Sequence, residues 1–397
     1  MTKLDELIQE LCPDGVKYLP IPELFITRNG YTPSKANNEF WENGTIPWFR
    51  MEDIRENGRI LTTATQYVSE KAVKGKLFPA DSIIIATSAT IGEHALIKVP
   101  SLANQRFTYL TLKDEFKDCV DMMFVFYYCF RLDEYCKSHL NQGNFASVDM
   151  KQFAAFKFPV PPLPVQREIV RILDNFTELT AELTAELTAE LTARKQQYAY
   201  YRDKLLTFGD VRGGATSDVV WKTLAEIADI STGSSNTDDA VKGGCYPFFV
   251  RSQQLLAKDE YEYDEEAIIT AGDGVGVGNV FHYINGKYAL HQRAYRIHPA
   301  TDGLLGKYLY HYFVATFPKY IGQQMYQGSV PSIRRPMLNK FQVAIPSLDV
   351  QSRIVNVLDN FDAICTDLSS GLPAEIEARQ KQYEYYRDKL LSFEEKI

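Results

Sequence analysis

The chain has 397 residues, including 24 Tyr and 23 Phe, and a formal charge of −8. That length accommodates two or more domains with cores of their own, and the aromatic content excludes a disordered chain. Residues 1–157 hold 18 basic and 20 acidic side chains and residues 209–345 hold 13 and 14, so a surface that meets DNA must be a local patch and not a whole basic face.

In chain order, the opening "MTKLDELIQEL" is charged and amphipathic, unlike a secretory leader. Residues 1–157 read as a β-rich domain with at least one helix. Its loops carry residues suited to base edges: Lys35, Asn37 and Asn38 in "TPSKANNEFW", Arg50 in "PWFRMEDI", Gln105 and Arg106, then Gln142, Asn144 and Lys151 in "NQGNFASVDMK". Arg and Lys donate twice to guanine, while Asn and Gln pair with adenine. "CVDMMFVFYYCFRLDEYC" (119–136) predicts a buried helix, and its apolar run is too short to span a bilayer. "VPPLP" stops the last strand and introduces the next helix.

Residues 158–208 predict a spacer helix. From Val165 to Phe208 there is no Gly or Pro, and Thr-Ala-Glu-Leu units run in tandem between Thr177 and Arg194. Such a helix is about 66 Å long at 1.5 Å per residue. Leu179, Leu183, Leu187 and Leu191 recur every fourth residue. Against 3.6 residues per turn that stripe drifts by about 40° per unit.

Residues 209–343 read as a second β-rich domain. "NVFHYINGKYALHQRAYRI" alternates around Asn285-Gly286 and predicts a hairpin turning there. "GDGVGVG" (272–278) lacks the spacing of a dinucleotide fingerprint and predicts a tight turn between strands. "LLGKYLYHYFVATF" (304–317) predicts a buried helix matching the first. The base-reading candidates are Ser235 and Asn236 in "STGSSNT", Arg251 and Gln253, Gln292 and Arg293, and Gln327, Ser329, Arg334 and Arg335 in "YQGSVPSIRR". Residues 344–397 predict a second spacer helix, which "SSGLP" (369–373) should break or kink.

The chain is written twice. "VQREIVRILDNF" (165–176) returns as "VQSRIVNVLDNF" (350–361), and "RKQQYAYYRDKLLTF" (194–208) as "RQKQYEYYRDKLLSF" (379–393), which is a duplication. The same displacement sets Ile364, Leu368, Leu372 and Ile376 against the leucine stripe. The two helical segments are therefore expected to pack along these ladders as an antiparallel coiled coil about a pseudo-two-fold axis. The expected fold class is α+β: two β-rich α/β recognition domains separated by two long helices. The six cysteines show no Cys-x-x-Cys pair, so no metal site is expected. The chain has no phosphate-binding Gly-x-x-x-x-Gly-Lys-Ser/Thr loop, no His-Glu-x-x-His and no Asn/Asp-Pro-Pro-aromatic tetrad, so it is expected to be non-catalytic.

The openings "PVPPLPVQREIVRILDNF" and "IPSLDVQSRIVNVLDNF", the twin "QYxYYRDKLL" endings, the "ELCPDGVKY" start and the "TAEL" tandem carry a resemblance. Over its whole length the chain resembles the DNA-specificity subunit of type I restriction–modification systems. The resemblance implies a cytoplasmic, non-catalytic subunit with no membrane contact, whose two target-recognition domains each read half of a split, asymmetric double-stranded DNA site. It further implies spacer helices that set the gap and dock two copies of a modification methyltransferase subunit. S-adenosylmethionine would bind that partner, ATP and Mg a further restriction/translocase subunit, and no cofactor this chain. Two rival readings are a coiled-coil scaffold without DNA specificity and a methyltransferase with degenerate motifs.

Overall fold

The computed structural model describes residues 2–141, 146–208, 219–323, 331–366 and 371–396. It mixes helix and sheet and divides into two compact units, Met1–Thr184 with Ala378–Ile397, and Ala185–Glu377. The division falls within the helical segments, so each unit combines a globular part with one piece of each helical region.

In the first unit, five strands are ordered Phe25–Asn29, Phe107–Leu112, Ser82–Ala86, His94–Ile97 and Ile60–Leu61. A separate three-stranded sheet joins Tyr67–Val68, Ile46–Phe49 and Leu102–Ala103. Residues 98–101, which include Pro100 with no N–H to offer a ladder, separate His94–Ile97 from Leu102–Ala103.

The second unit keeps one six-stranded sheet: Ala228–Thr232, Ala294–Pro299, Tyr263–Ala271, Phe281–Leu290, Tyr246–Phe249 and Leu256–Lys258. Here the equivalent strand, Phe281–Leu290, runs unbroken through Asn285-Gly286, so the hairpin expected at that dipeptide is not formed. Both of its flanks pair with one neighbour, Tyr263 facing Tyr288 and Thr270 facing Phe281. The nine-residue facing strand outweighs the local turn preference, and Gly286 accommodates φ +134° inside the strand. The chain turns instead at "GDGVGVG", as expected of that stretch, through a short 3₁₀ segment Gly274–Gly276.

The two expected buried helices are Met122–Ser138 and Gly306–Gly322. The first is apolar on most faces because it lies between the sheet and the spacer helix, packing with Ile83, Val165, Ile169 and Leu173. The second packs likewise with Ile268, Ile354 and Leu358. The spacer helix spans Leu163–Leu206, 44 residues. The second helical region is described as Leu348–Thr366 and Leu372–Leu390, with Gly371 in a bend before the latter; residues 367–370, on which part of the expected break falls, lie outside the described residues. Pro373 sits in the first turn of the latter, where a missing N–H leaves no helical bond unmade.

The repeated "VQ" dipeptide has a defined job. Gln166 is fully buried; its Nε2 donates to Cys119 O (2.8 Å) and Pro161 O (2.6 Å), and its Oε1 accepts from Asp121 N (2.8 Å). Gln351 repeats the pattern with Gly303 O (2.8 Å), Pro346 O (2.8 Å) and Leu305 N (2.9 Å). Each glutamine ties the start of its helix to the loop before the buried helix. The repeated Asp of "LDNF" adds a second tie. Asp174 accepts from Tyr127 Oη at 2.7 Å, while Asp359 accepts from His311 Nε2 at 2.9 Å and Lys307 Nζ at 2.6 Å.

The helix ends are exchanged. Leu206, which ends the spacer helix, is buried in the second unit's core, and its repeat Leu391 in the first unit's core. Within the first unit the pairing is antiparallel, with Thr177 Oγ1 2.9 Å from Tyr383 Oη and Phe176 against Tyr386 at 6.2 Å between ring centroids. Within the second, Phe361 meets Tyr198 and Tyr201 at 6.5 and 6.0 Å.

The four-residue leucine ladder is corrected. Leu183, Leu187 and Leu191 are half-buried, as are Leu372 and Ile376, but Leu179 and Ile364 are 60% and 43% exposed. Leu368 lies outside the described residues. Beyond buried Leu173, the half-buried positions Thr180, Thr184, Leu187, Leu191, Arg194 and Tyr198 advance by fours and threes, with Leu183 flanking Thr184; Thr177 is exposed and joins the pairing only through its bond to Tyr383. A mean period of 3.5 holds a seam in line whereas a period of four rotates out of it, so threonines share the seam with leucines.

Candidate nucleic-acid interface

In each unit, loops from distant parts of the sequence are stitched together by backbone hydrogen bonds. In the first, Thr87 N donates to Arg106 O (2.9 Å), Asn104 N to Phe49 O (3.0 Å) and Val148 N to Thr87 O (2.9 Å). In the second, Gly272 N donates to Arg293 O (2.8 Å), His291 N to Phe249 O (2.9 Å) and Ile333 N to Gly272 O (2.7 Å). These are the same three bonds at equivalent positions. Two matching glycines seal the clusters: a Cβ on Gly30 would lie 2.2 Å from Asn104 O, and one on Gly233 1.8 Å from Leu290 O. The sequence candidates sit on this common frame with different side chains.

In the first cluster Lys35, Asn38, Gln105 and Arg106 are exposed, and Gln105 Oε1 accepts from Thr32 Oγ1. Asn37 is committed to capping Asn38–Phe40 through Glu39 N (3.2 Å). Arg50 is half-buried, donates to Thr65 Oγ1 (3.1 Å) and lies 5.8 Å from the Trp48 ring centroid. Buried Asp53 fixes its backbone, accepting from Arg50 N at 2.6 Å and Thr65 N at 2.6 Å. Lys151 is exposed in the first turn of the helix Met150–Ala155. No ion pair engages Lys35, Arg106 or Lys151 among the described residues. Gln142 and Asn144 lie outside them.

In the second cluster Asn236 Oδ1 accepts from Gln292 Nε2, joining two candidates. Gln253 is exposed, as are Arg334 and Arg335 at the start of the helix Arg335–Asn339. Ser235, expected at the surface, is 3% exposed: its Oγ donates to Glu262 and accepts from Lys258 Nζ at 2.8 Å. Those partners lie 23 and 27 residues away, which a local reading of "STGSSNT" cannot see. Gln327 and Ser329 lie outside the described residues.

Two residues were missed. Asp273 accepts from Arg251 Nη1 at 2.7 Å and from Arg293 Nη1 at 3.2 Å. Burial alone would raise its carboxyl, but the bond from Arg251 and both guanidinium charges hold it below the ordinary range. His291 is buried and takes the place of Asn104. Its Nδ1 accepts from Arg293 N at 3.0 Å, and burial, then Arg251 and Arg293, lower its pKa, keeping that nitrogen an acceptor. Aspartate inside a glycine run and a lone histidine carried no signal in isolation; their equivalence to Ser88 and Asn104 was the available clue. Among the described residues no group of three or more His, Cys, Asp or Glu could hold a metal, and no helix is long and apolar enough to cross a membrane.

The family described as the type I restriction modification DNA specificity domain matches this chain twice, over residues 13–193 and 216–378. The chain belongs to the type I restriction–modification DNA-specificity family. The family is non-catalytic, and each match spans one loop cluster, so the specificity subunit carries two target-recognition domains, and the scaffold reading falls away. The chain is 43% identical over 384 residues to the Escherichia coli type I restriction enzyme EcoprrI specificity subunit, covering 93% of each. It is 34% identical over 284 residues to the EcoR124I/EcoR124II specificity subunit of the same species, covering 64% of this chain and 68% of that one. In fold it is similar to the HsdS subunit from Thermoanaerobacter tengcongensis, at 16% identity and TM-score 0.57, covering 96% of this chain and 97% of that chain. A chain solved in work on complex assembly of the type I restriction–modification system gives TM-score 0.69 at 15% identity, covering 96% of this chain and 98% of that chain.

Proposed function

We propose that this specificity subunit selects DNA for a type I complex by applying one loop cluster to each half of a bipartite, asymmetric double-stranded site. The observation that carries this reading is the pair of clusters built on the same three backbone bonds but bearing different side chains. The helical segments are the docking surface for two modification methyltransferase subunits, with a restriction/translocase subunit joining the complex. S-adenosylmethionine belongs to the modification subunits, ATP and Mg to the restriction subunit, and neither to this chain. The acidic charge balance fits such a division, because enclosing partners would neutralise most phosphates. The purified chain alone is accordingly expected to bind DNA weakly.

The Thr-Ala-Glu-Leu tandem tunes the gap between half-sites. One unit adds about 6 Å and about 40° to a helix, against about 3.4 Å per base pair and about 34–36° of twist. Twist corresponds to one base pair and rise to nearly two, a difference that DNA deformation absorbs. The test is long-read methylation mapping in cells carrying the chain and its partner subunits, with and without one unit. Deletion should shorten the gap and preserve both half-sites; an altered half-site with an unaltered gap refutes the tuning, and methylation without a bipartite motif refutes the function.

A further inference from the structure

The glycine-rich stretch "GDGVGVG" is accounted for residue by residue. Gly272 and Gly276 are places where a side chain cannot fit: a Cβ would lie 2.6 Å from Arg293 O and 2.4 Å from Arg251 O respectively. Gly274 and Gly278 take φ of +80° and +73°, which only glycine adopts freely. The turn is thus pressed against the backbones of the two arginine-bearing loops, and Asp273 at its tip joins their side chains. Each guanidinium donates to Asp273 through Nη1, leaving Nε and Nη2 without a partner among the described residues. The two arginine side chains are 40% and 60% exposed while Asp273 beneath them is 27% exposed. A planar guanidinium bonded at Nη1 keeps its Nε and Nη2 donors together on another edge, and that pair of donors matches bidentate pairing with guanine O6 and N7.

The first domain lacks this device. Its residue equivalent to Asp273 is Ser88: each forms an isolated bridge at the matching place, Ser88 with Ser147 and Asp273 with Ser332. Arg106, the counterpart of Arg293, has no carboxylate partner among the described residues.

We infer that Asp273 is a positioning residue that locks Arg251 and Arg293 into a guanine-reading pair, so that the second domain's half-site contains a G·C pair whose recognition depends on it. The inference rests on the proposed bipartite reading. Its test is methylation mapping of the complete complex with the wild-type chain, D273S and R293K. D273S installs the first domain's residue. R293K keeps the charge but removes the planar fork, and leaves the glycine cradle intact should D273S fold poorly. The expected result is a loss of guanine preference by about ten-fold at one position of one half-site, with the other half-site and the gap unchanged. A uniform fall in methylation with every base preference intact identifies a phosphate grip or a purely structural role and overturns the inference. A wild-type motif with no G·C pair in either half-site overturns it as well. Absence of any bipartite motif overturns the proposed function itself, a distinct outcome.

Discussion

The two recognition domains share a frame and differ in how polar groups are held on it. In the first, a neutral phenol, Tyr127, ties the buried helix to Asp174; in the second, a buried histidine and a lysine tie it to Asp359. In the first, Ser88 takes the place of Asp273 and Arg106 has no carboxylate partner among the described residues; in the second, Asp273 bonds two arginines. The first divides its strands between a five-stranded and a three-stranded sheet, and the second keeps six in one. Duplication has thus preserved backbone connectivity while releasing side-chain chemistry, as a pair of unlike readers with one assembly requirement demands.

The most damaging test of the shared frame is to fill its tightest glycine contacts. G233A places a carbon 1.8 Å from a carbonyl oxygen and G30A one 2.2 Å away. Each should destabilise its own unit by about 3 kcal/mol or more, followed by protease resistance of that unit, and G233A should be the worse. If both leave the units intact, the clusters are looser than described.

Next in size are Q166L and Q351L. Each removes three hydrogen bonds and leaves one buried carbonyl, that of Pro161 or Pro346, without its donor, a loss of about 2–4 kcal/mol in denaturant unfolding. The two losses should match; a large difference would mean that the helix starts are not equivalent.

A smaller effect separates the domains by pH. Burial is the main cause lowering the pKa of His282, His291 and His311, all in the second unit. A folded-state value below the unfolded one means that the unfolded chain takes up protons first, so stability is full above about pH 6.5 and falls as the solution is acidified. Each such histidine contributes a slope of up to about 1.4 kcal/mol per pH unit there. His311→Tyr, which copies Tyr127, should flatten the pH dependence of the second unit's unfolding; an unchanged slope would remove His311 from the account. The smallest effect belongs to the ladder. L179A should change thermal stability by less than about 0.5 kcal/mol, and L187A by about 1 kcal/mol.

Much of this was legible in the sequence because the duplication fixes register. The spacer helix, the bend at Gly371 before Pro373, both buried helices and the paired loop clusters all follow from the 185-residue echo and local propensity. What was not legible depended on partners distant in sequence. Asn285-Gly286 has every local mark of a turn, and only the facing strand Tyr263–Ala271 overrides it. Ser235 looks like an exposed loop serine until Lys258 and Glu262 close on it. The leucines at every fourth place hid a seam spaced by threes and fours, because Thr180 and Thr184 share it with the leucines.

The exchange of helix ends has a consequence for biosynthesis. Val16 bonds to the strand-like segment at Glu394–Lys396 (2.9 Å on each side), Tyr18 Oη donates to Phe393 O (3.1 Å), and Arg131 reaches Asp388 O (2.6 Å). All of these belong to the first unit, yet they arrive only after the second has been translated. At about 5–20 residues per second, the ribosome delivers them some tens of seconds after residue 184, so the amino-terminal reader leaves the exit tunnel early but is finished last.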